Sequence, residues 1–144
     1  MIRREDIVSA ARGWLGVPWQ HQGRGRHGID CIGLVIAVAK TVGAIDADFD
    51  VRGYGRHPDA RVLLPTCREL MREIEPAHLA SGDVLVLSWS DEPHHFAVVC
   101  DYPQPCELGI VHATARGGRQ VVECRLDGVW RGRIVAAFSF VGVA

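Results

Sequence analysis

The stretch LGVPWQHQGRGRHGIDCIGLV, residues 15–35, decides the fold, because a glycine-rich basic segment runs directly into an apolar helix. Apolar residues occupy nearly every position over residues 31–43, which predicts a helix buried on most sides. Asp30 stands at the N-cap position of this helix. Cys31 therefore lies in the first turn, where the positive end of the helix dipole favours the thiolate form.

The segments around this stretch change from helical to strand periodicity along the chain. Two further helices are predicted, over residues 5–15 and 66–75, and two loops, over residues 19–29 and 46–60. Five strands are predicted after them, over residues 83–89, 95–100, 108–114, 119–126 and 133–141. Helices followed by strands predict an α+β fold in which N-terminal helices pack on a C-terminal antiparallel sheet.

Length and charge exclude several classes of protein. The 144 residues predict one domain over residues 1–144, and a formal net charge of −1 argues against binding to nucleic acid or an anionic membrane surface. The N-terminus MIRREDIVSAARGW lacks the apolar segment of a signal peptide, and no apolar run reaches the roughly 18–20 residues of a membrane span. We expect synthesis in the cytoplasm, with export by another route if the protein leaves the cell.

The five cysteines form no closed disulfide set and no CxxC pair, which indicates reduced thiols. A zinc site would have to draw on Cys100, Cys106, Cys124, His94 and His95. The spacings of these residues match no regular ligand pattern, so the sequence predicts neither a metal nor a cofactor.

A nucleophilic cysteine needs a base, and two strand histidines are candidates. A tight turn on residues 102–105 would place His95 directly opposite His112, on one face of a hairpin, with Cβ atoms about 4.5–5.5 Å apart. Cys31, His95 and His112 would then form a Cys-His-His triad. Taken singly, a buried cysteine or a strand histidine is more often structural, so the hypothesis depends on all three together.

Three segments in order carry a resemblance to a known family. The stretch at residues 15–35 is followed by GDVLVLSWSDEPHHFAVV at 82–99 and by IVHA at 110–113. Together they resemble the NlpC-type cysteine peptidases, a papain-like family that cuts bacterial cell-wall peptides. The resemblance is strongest to the phage-tail branch and runs from about residue 5 to residue 140.

The resemblance implies a papain-like NlpC-type fold and a role for each matched residue. Cys31 resembles the nucleophile, His95 the base, and His112 the residue that orients the base. Asp30 resembles an acidic residue that helps to hold the substrate amine. Trp19 stands where the family usually has a tyrosine beside the nucleophile, and its indole can donate only through the ring N–H.

Other residues near the nucleophile are candidates for substrate binding. Gly23 would let a substrate backbone approach closely. Arg24 is a candidate to bind stem-peptide carboxylates, although a solvated loop is the commoner role of such arginines. Arg26, Arg52 and Arg56 are further candidates of the same kind. Ile32 follows the cysteine where the family often has serine, which would alter specificity.

The activity that the resemblance implies is that of a cysteine endopeptidase, a cell-wall hydrolase acting on peptidoglycan stem peptides. The bond implied is the one between γ-D-glutamyl and the diamino acid, and phage-like tail proteins are the implied partners. Two alternatives stay open. The chain is either a catalytically altered tail-assembly or wall-binding component, or a thiol hydrolase of an intracellular peptide or amide.

Overall fold

The computed structural model describes residues 1–55, 60–89, 92–102 and 107–144, with backbone alone for residues 60, 61, 89 and 92–94. The helices are α1 (Arg4–Arg12), α2 (Cys31–Thr41), α3 (Ala60–Leu70) and α4 (Gly128–Arg131), with a short 3-10 turn at Pro76–His78. The strands are β1 (Arg24–Gly25), β2 (Gly28–Ile29), β3 (Met71–Ile74), β4 (Val84–Trp89), β5 (Glu92–Asp101), β6 (Leu108–Ala113), β7 (Val121–Arg125) and β8 (Ile134–Phe140).

Six strands of the described residues form one antiparallel sheet in the order β3-β8-β4-β5-β6-β7. Helices α1 and α2 pack against each other and against β5. The predicted α+β architecture, with N-terminal helices on an antiparallel sheet, is therefore confirmed. No helix in the described part of the chain is long and apolar enough to span a bilayer.

Side chains alternate between the two faces of the sheet and form two apolar clusters. The helix-side cluster joins α1 and α2 to the sheet through residues such as Ile7, Leu34, Val86, Phe96 and Phe138. The outer cluster lies on the opposite face and consists of Leu85, Leu87, Ala97, Val99, Ile110, Leu126 and Ala137. Neighbouring residues of one strand therefore lie on opposite faces of the sheet. The same alternation decides whether His95 and His112 share a face.

The first two helices begin near the predicted residues and end earlier. Helix α2 starts at Cys31, as predicted, with the Asp30 carboxylate accepting from the Gly33 amide. Helix α1 ends at Arg12 rather than at residue 15, because hydrogen bonds to the third preceding residue replace the α-helical ones there. The chain turns away from this helical segment at Gly16, whose φ of +87° suits glycine.

The prediction of a third helix over residues 66–75 was wrong in its position. Helix α3 spans Ala60–Leu70 and contains Pro65, so it begins before the predicted start and ends before the predicted end. Residues Met71–Ile74 form β3 instead, paired with β8 from Met71↔Phe140 to Ile74↔Ala137. A strand partner almost seventy residues away leaves no trace in local periodicity, so this pairing overrode the helical pattern.

The predicted loop at residues 19–29 contains a small hairpin. Strands β1 and β2 pair through Arg24↔Ile29 and Gly25↔Gly28. The hairpin ends directly before Asp30, so it fixes the chain that enters α2.

Candidate active site

The N-terminus of α2 is built around a buried carboxylate. Asp30 is 4% exposed and its oxygens accept four hydrogen bonds. The donors are the amides of Gln22 and Gly33, both at 2.8 Å, the Tyr54 hydroxyl at 2.6 Å and the Arg24 guanidinium at 3.1 Å. The capping role predicted for Asp30 is therefore confirmed, and two segments besides α2, around residues 22–24 and residue 54, donate to the same carboxylate.

Cys31 is buried at the first position of α2, with 7% of its surface exposed. Burial raises the pKa of its thiol to about 12, and the Asp30 carboxylate acts in the same direction. Backbone amides of Phe96, Ile32 and Cys31 itself favour the thiolate but do not outweigh burial. The start of α2 therefore favours the thiolate, as predicted, but desolvation of the thiol is the larger effect.

The thiol lies where β5 and β6 separate. The amide of Val99 donates to the Asp83 carbonyl on the β4 side at 2.8 Å. Because neighbouring strand residues point their amides to opposite sides, the Phe96 amide is directed towards β6. The pairs of these two strands run from Asp101↔Leu108 to Val98↔Val111, short of Phe96. The cysteine therefore approaches from the helix side at the end of this ladder, within reach of the Phe96 amide.

His95 and His112 contact each other as predicted, with a different register. Their Nε2 and Nδ1 atoms are 2.7 Å apart, and the rings are 8% and 3% exposed. Continuing the register of Val98↔Val111 places His112 opposite residue 97, so the two histidines are diagonal rather than direct neighbours. A shift of two residues keeps both side chains on the same face, which is why the contact survives.

The surroundings of His112 keep it neutral. Burial lowers its pKa to about 4. Its Nε2 atom lies 3.6 Å from the Cys124 sulfur, and the Trp130 ring packs edge-on at 5.1 Å between centroids. The sequence analysis did not place Cys124 or Trp130 beside His112, since β7 and α4 meet the histidines only in the folded chain.

A second network of hydrogen bonds holds residues 50–54 against the β1–β2 hairpin. The Arg24 guanidinium donates to the Tyr54 hydroxyl at 2.8 Å, the Asp50 carboxylate at 2.9 Å and the Val51 carbonyl at 2.8 Å. Burial and the Asp30 carboxylate raise the pKa of Tyr54, so its hydroxyl stays a donor. Sequence reasoning missed Tyr54, which had no motif around it.

Two predicted substrate-binding residues contact other parts of the chain. Trp19 is half-buried, and its amide donates to the Arg119 carbonyl at 2.7 Å while its ring lies 5.9 Å from the Arg119 guanidinium. A Cβ atom on Gly23 would lie 2.4 Å from the Gly28 carbonyl oxygen, so this glycine is required by the hairpin itself. Contact of Trp19, Gly23, Arg24 and Asp30 with substrate stays a prediction.

The other candidate arginines are engaged within the protein. The Arg26 guanidinium stacks on the Trp14 ring at 3.8 Å. Arg52 donates to the Asp50 carboxylate at 2.7 Å, with 58% of its side chain exposed. Arg56 lies outside the described residues.

Among the described residues, no group of three or more side chains could hold a metal ion. Cys100 belongs to the helix-side cluster and contacts Glu123, whereas Cys124 packs on the outer cluster. A sheet separates these two thiols, so they cannot share an ion. Cys106 and the His94 side chain lie outside what the structure describes.

The fold is shared with solved structures over nearly the whole chain. An NlpC/p60 family protein from Bacillus cereus matches with a TM-score of 0.66 and 19% identity, over 96% of this chain and 40% of that chain. The NlpC/p60 domain of the peptidoglycan hydrolase SagA matches with a TM-score of 0.64 and 20% identity, over 94% and 97%. RipD from Mycobacterium tuberculosis, described as a non-catalytic NlpC/p60 domain protein adapted to peptidoglycan binding, matches with a TM-score of 0.59 and 12% identity, over 96% of each chain.

These likenesses confirm the NlpC-type fold expected from the sequence. No protein-family model matches the chain, and no curated protein matches it. The structural neighbours include both a hydrolase and a non-catalytic protein, so the fold is compatible with either role.

Proposed function

We propose that this protein is a cysteine endopeptidase that hydrolyses an amide bond in peptidoglycan stem peptides. One observation carries the proposal. Cys31 sits at the N-terminus of a buried helix, next to the amide of Phe96, and the residue before Phe96 is a histidine whose Nε2 lies 2.7 Å from a second histidine. A thiol and a pair of histidines at this end of β5 support the roles of nucleophile, base and orienting group that acyl transfer needs.

The resting thiol is protonated, so attack requires a general base. Nε2 of His95 faces His112, which leaves Nδ1 as the ring nitrogen that exchanges a proton with Cys31. As the sulfur bonds to the substrate carbonyl carbon, the thiol proton moves to Nδ1 and the carbonyl oxygen takes the negative charge. Proton transfer coupled to attack removes the cost of a buried thiolate, which burial would otherwise impose.

The second half of the reaction returns the proton. The His95 imidazolium protonates the leaving amine as the carbon–nitrogen bond breaks, which leaves a thioester on Cys31. His95 then takes a proton from water as the water oxygen attacks the thioester. The carbon–sulfur bond breaks, the acid is released, and the His95 imidazolium returns its proton to the Cys31 sulfur. His112 is neutral and accepts from the Nε2–H of His95 throughout, which holds the base ring in one orientation.

The start of α2 is suited to binding the oxyanion. The amides of Cys31 and Ile32 both act on the sulfur, so they lie close to the position of the tetrahedral oxygen. The Gly33 amide is already occupied by the Asp30 carboxylate. The positive end of the α2 dipole adds to the stabilisation of the negative charge.

The proposed substrate is a stem peptide cut between γ-D-glutamyl and the diamino acid. The resemblance at residues 15–35, 82–99 and 110–113 supports this bond, and SagA, of similar fold, is described as a peptidoglycan hydrolase. We further propose that a phage-like tail carries the enzyme to the wall, which the resemblance to the phage-tail branch supports.

The test is digestion of purified sacculi by the reduced protein, with mass spectrometry of the soluble products. We expect muropeptide fragments from the wild type and none from Cys31→Ala. The matched control is Cys100→Ala, which removes another buried thiol, on β5, and should retain activity. Products from Cys31→Ala would contradict the proposal.

A second candidate function is wall binding without catalysis. The raised pKa of Cys31 favours it, and RipD provides a structural neighbour described as non-catalytic and peptidoglycan-binding. The same experiment decides between the two, because a binding module would co-sediment with sacculi and release nothing. Activity on a panel of other peptides or amides, with sacculi left intact, would instead indicate a different substrate.

A further inference from the structure

We propose that Cys124 is a positioning residue that fixes the tautomer of His112 and, through it, the proton acceptor of His95. The inference rests on the proposed peptidase function, since it assigns a further residue to the same site. Cys124 would be the fourth side chain in the series Cys31, His95, His112 and Cys124.

The geometry places Cys124 at the far end of the histidine pair. His112 contacts His95 through Nδ1 at 2.7 Å and the Cys124 sulfur through Nε2 at 3.6 Å, so both ring nitrogens have a partner. Strands β6 and β7 pair through Ile110↔Cys124, which puts Cys124 diagonal to His112 on the same face.

The protonated state of the Cys31 thiol decides which histidine donates in the hydrogen bond between His95 and His112. A protonated Cys31 thiol can lose its proton only to an imidazole whose Nδ1 is unprotonated, so neutral His95 carries its proton on Nε2. That proton is donated to Nδ1 of His112. Neutral His112 then carries its own proton on Nε2, and the sulfur of Cys124 accepts it.

The opposite arrangement would stop the reaction. If the Cys124 thiol donated to Nε2 of His112, then His112 would donate from Nδ1, and His95 would carry its proton on the atom that must receive one. A Cys124 sulfur that accepts from Nε2 therefore stabilises the active tautomer of His112.

Side chains from three elements face His112. His112 is faced by His95 from β5, Cys124 from β7 and the uncharged Trp130 ring from α4. Cys124 is half-buried, and burial together with the charges of Asp127 and Glu123 raises the pKa of its thiol. Cys124 is thus a neutral thiol at neutral pH, with lone pairs to accept the Nε2–H.

The activity test compares Cys124→Ala, Cys124→Val and Cys124→Ser. General acid–base catalysis contributes about 10²–10⁴-fold, and loss of the correct tautomer population should lower kcat by roughly tenfold in Ala and Val with KM unchanged. Serine keeps an acceptor at this position and should restore most of kcat. Cys100→Ala is the matched control for loss of a buried thiol.

A measurement without substrate separates this inference from the proposed function. In ¹⁵N-histidine-labelled protein at pH 7, the ring nitrogens of His112 should report a proton on Nε2 in the wild type and in Cys124→Ser. In Cys124→Ala or Cys124→Val the signal should shift towards a mixture of tautomers. An unchanged His112 spectrum, or kcat values in Ala and Val equal to that of Cys100→Ala, would overturn the assignment, whether or not the wild type cleaves sacculi.

Discussion

The Asp30 carboxylate organises the chain around the start of α2 through hydrogen bonds within the protein. It accepts from the amide of Gln22, whose φ of +56° is a left-handed conformation uncommon outside glycine. The Gln22 side chain also donates to the Tyr54 carbonyl at 2.8 Å, so this residue is held from both sides. A substrate amine at Asp30 would have to share or displace one of these donors. Structural organisation is therefore the role of Asp30 that the contacts support directly.

Tyr54→Phe tests this network at a single atom. The change removes the hydroxyl that donates to Asp30 at 2.6 Å and accepts from Arg24 at 2.8 Å. Loss of a hydrogen bond to a buried charged group should lower the free energy of unfolding by about 1–3 kcal/mol, as measured by urea denaturation.

The other tyrosine supplies the control for that experiment. The centre of the Tyr102 ring lies 6.0 Å from the Arg125 guanidinium. Tyr102→Phe keeps the ring and should change stability much less than Tyr54→Phe. Equal effects of the two substitutions would show that the Asp30 network is not what Tyr54 stabilises.

Among the helices and strands, those with strong local sequence patterns were predicted close to their observed positions. The length of the turn between β5 and β6 was predicted wrongly. Helix α2 and the strands β4, β6 and β8 are rich in apolar residues, so their positions could be predicted from the local sequence. The hairpin of β5 and β6 pairs Tyr102 with Glu107, leaving four residues between them rather than two. This difference explains the two-residue shift in register, and its even value preserved the histidine pair.

The elements that sequence missed depend on distant partners. Strand β3 forms only because β8 returns beside it, and the β1–β2 hairpin is held by Asp30 and Arg24 through contacts outside its own pattern. Cys124 and Trp130 reach the site in the same way. Local spacing carries no information about which strand will lie beside β6 or where α4 will pack.

A buried ionic contact joins the first helix to the sheet and gives a prediction at this scale. Asp83, fully buried before β4, accepts from Arg4 of α1 and from Ser139 of β8, at 2.8 and 2.5 Å. The Ala80 amide donates to the same carboxylate at 2.9 Å. Asp83→Ala leaves all three donors without this acceptor and should lower the free energy of unfolding by about 3 kcal/mol in urea denaturation.

The exposed pair of Arg3 and Glu5 provides the comparison for Asp83→Ala. Both side chains are largely exposed, and exposed ion pairs contribute little to stability. Arg3→Ala should leave the urea midpoint close to that of the wild type. A loss in Arg3→Ala as large as that in Asp83→Ala would count against the buried contact as the cause.

For the whole molecule, burial of the histidine pair links the candidate site to global stability. His112 has a pKa of about 4 when folded, against 6.5 in an unfolded chain. Between these values the unfolded chain binds a proton that the folded protein does not, so stability falls as pH drops from about 6.5 towards 4. The difference in pKa corresponds to about 3 kcal/mol.

Urea denaturation at a series of pH values from 7.5 to 4.5 measures this effect. The wild type should lose up to about 3 kcal/mol more over this range than His112→Gln, which has no proton to bind at that position. His78→Gln removes an exposed histidine and should follow the wild-type curve. Parallel curves for the wild type and His112→Gln would mean that His112 is solvated in solution. Such a His112 could not hold His95 in a fixed orientation, so the same curves bear on whether this fold can act as a peptidase.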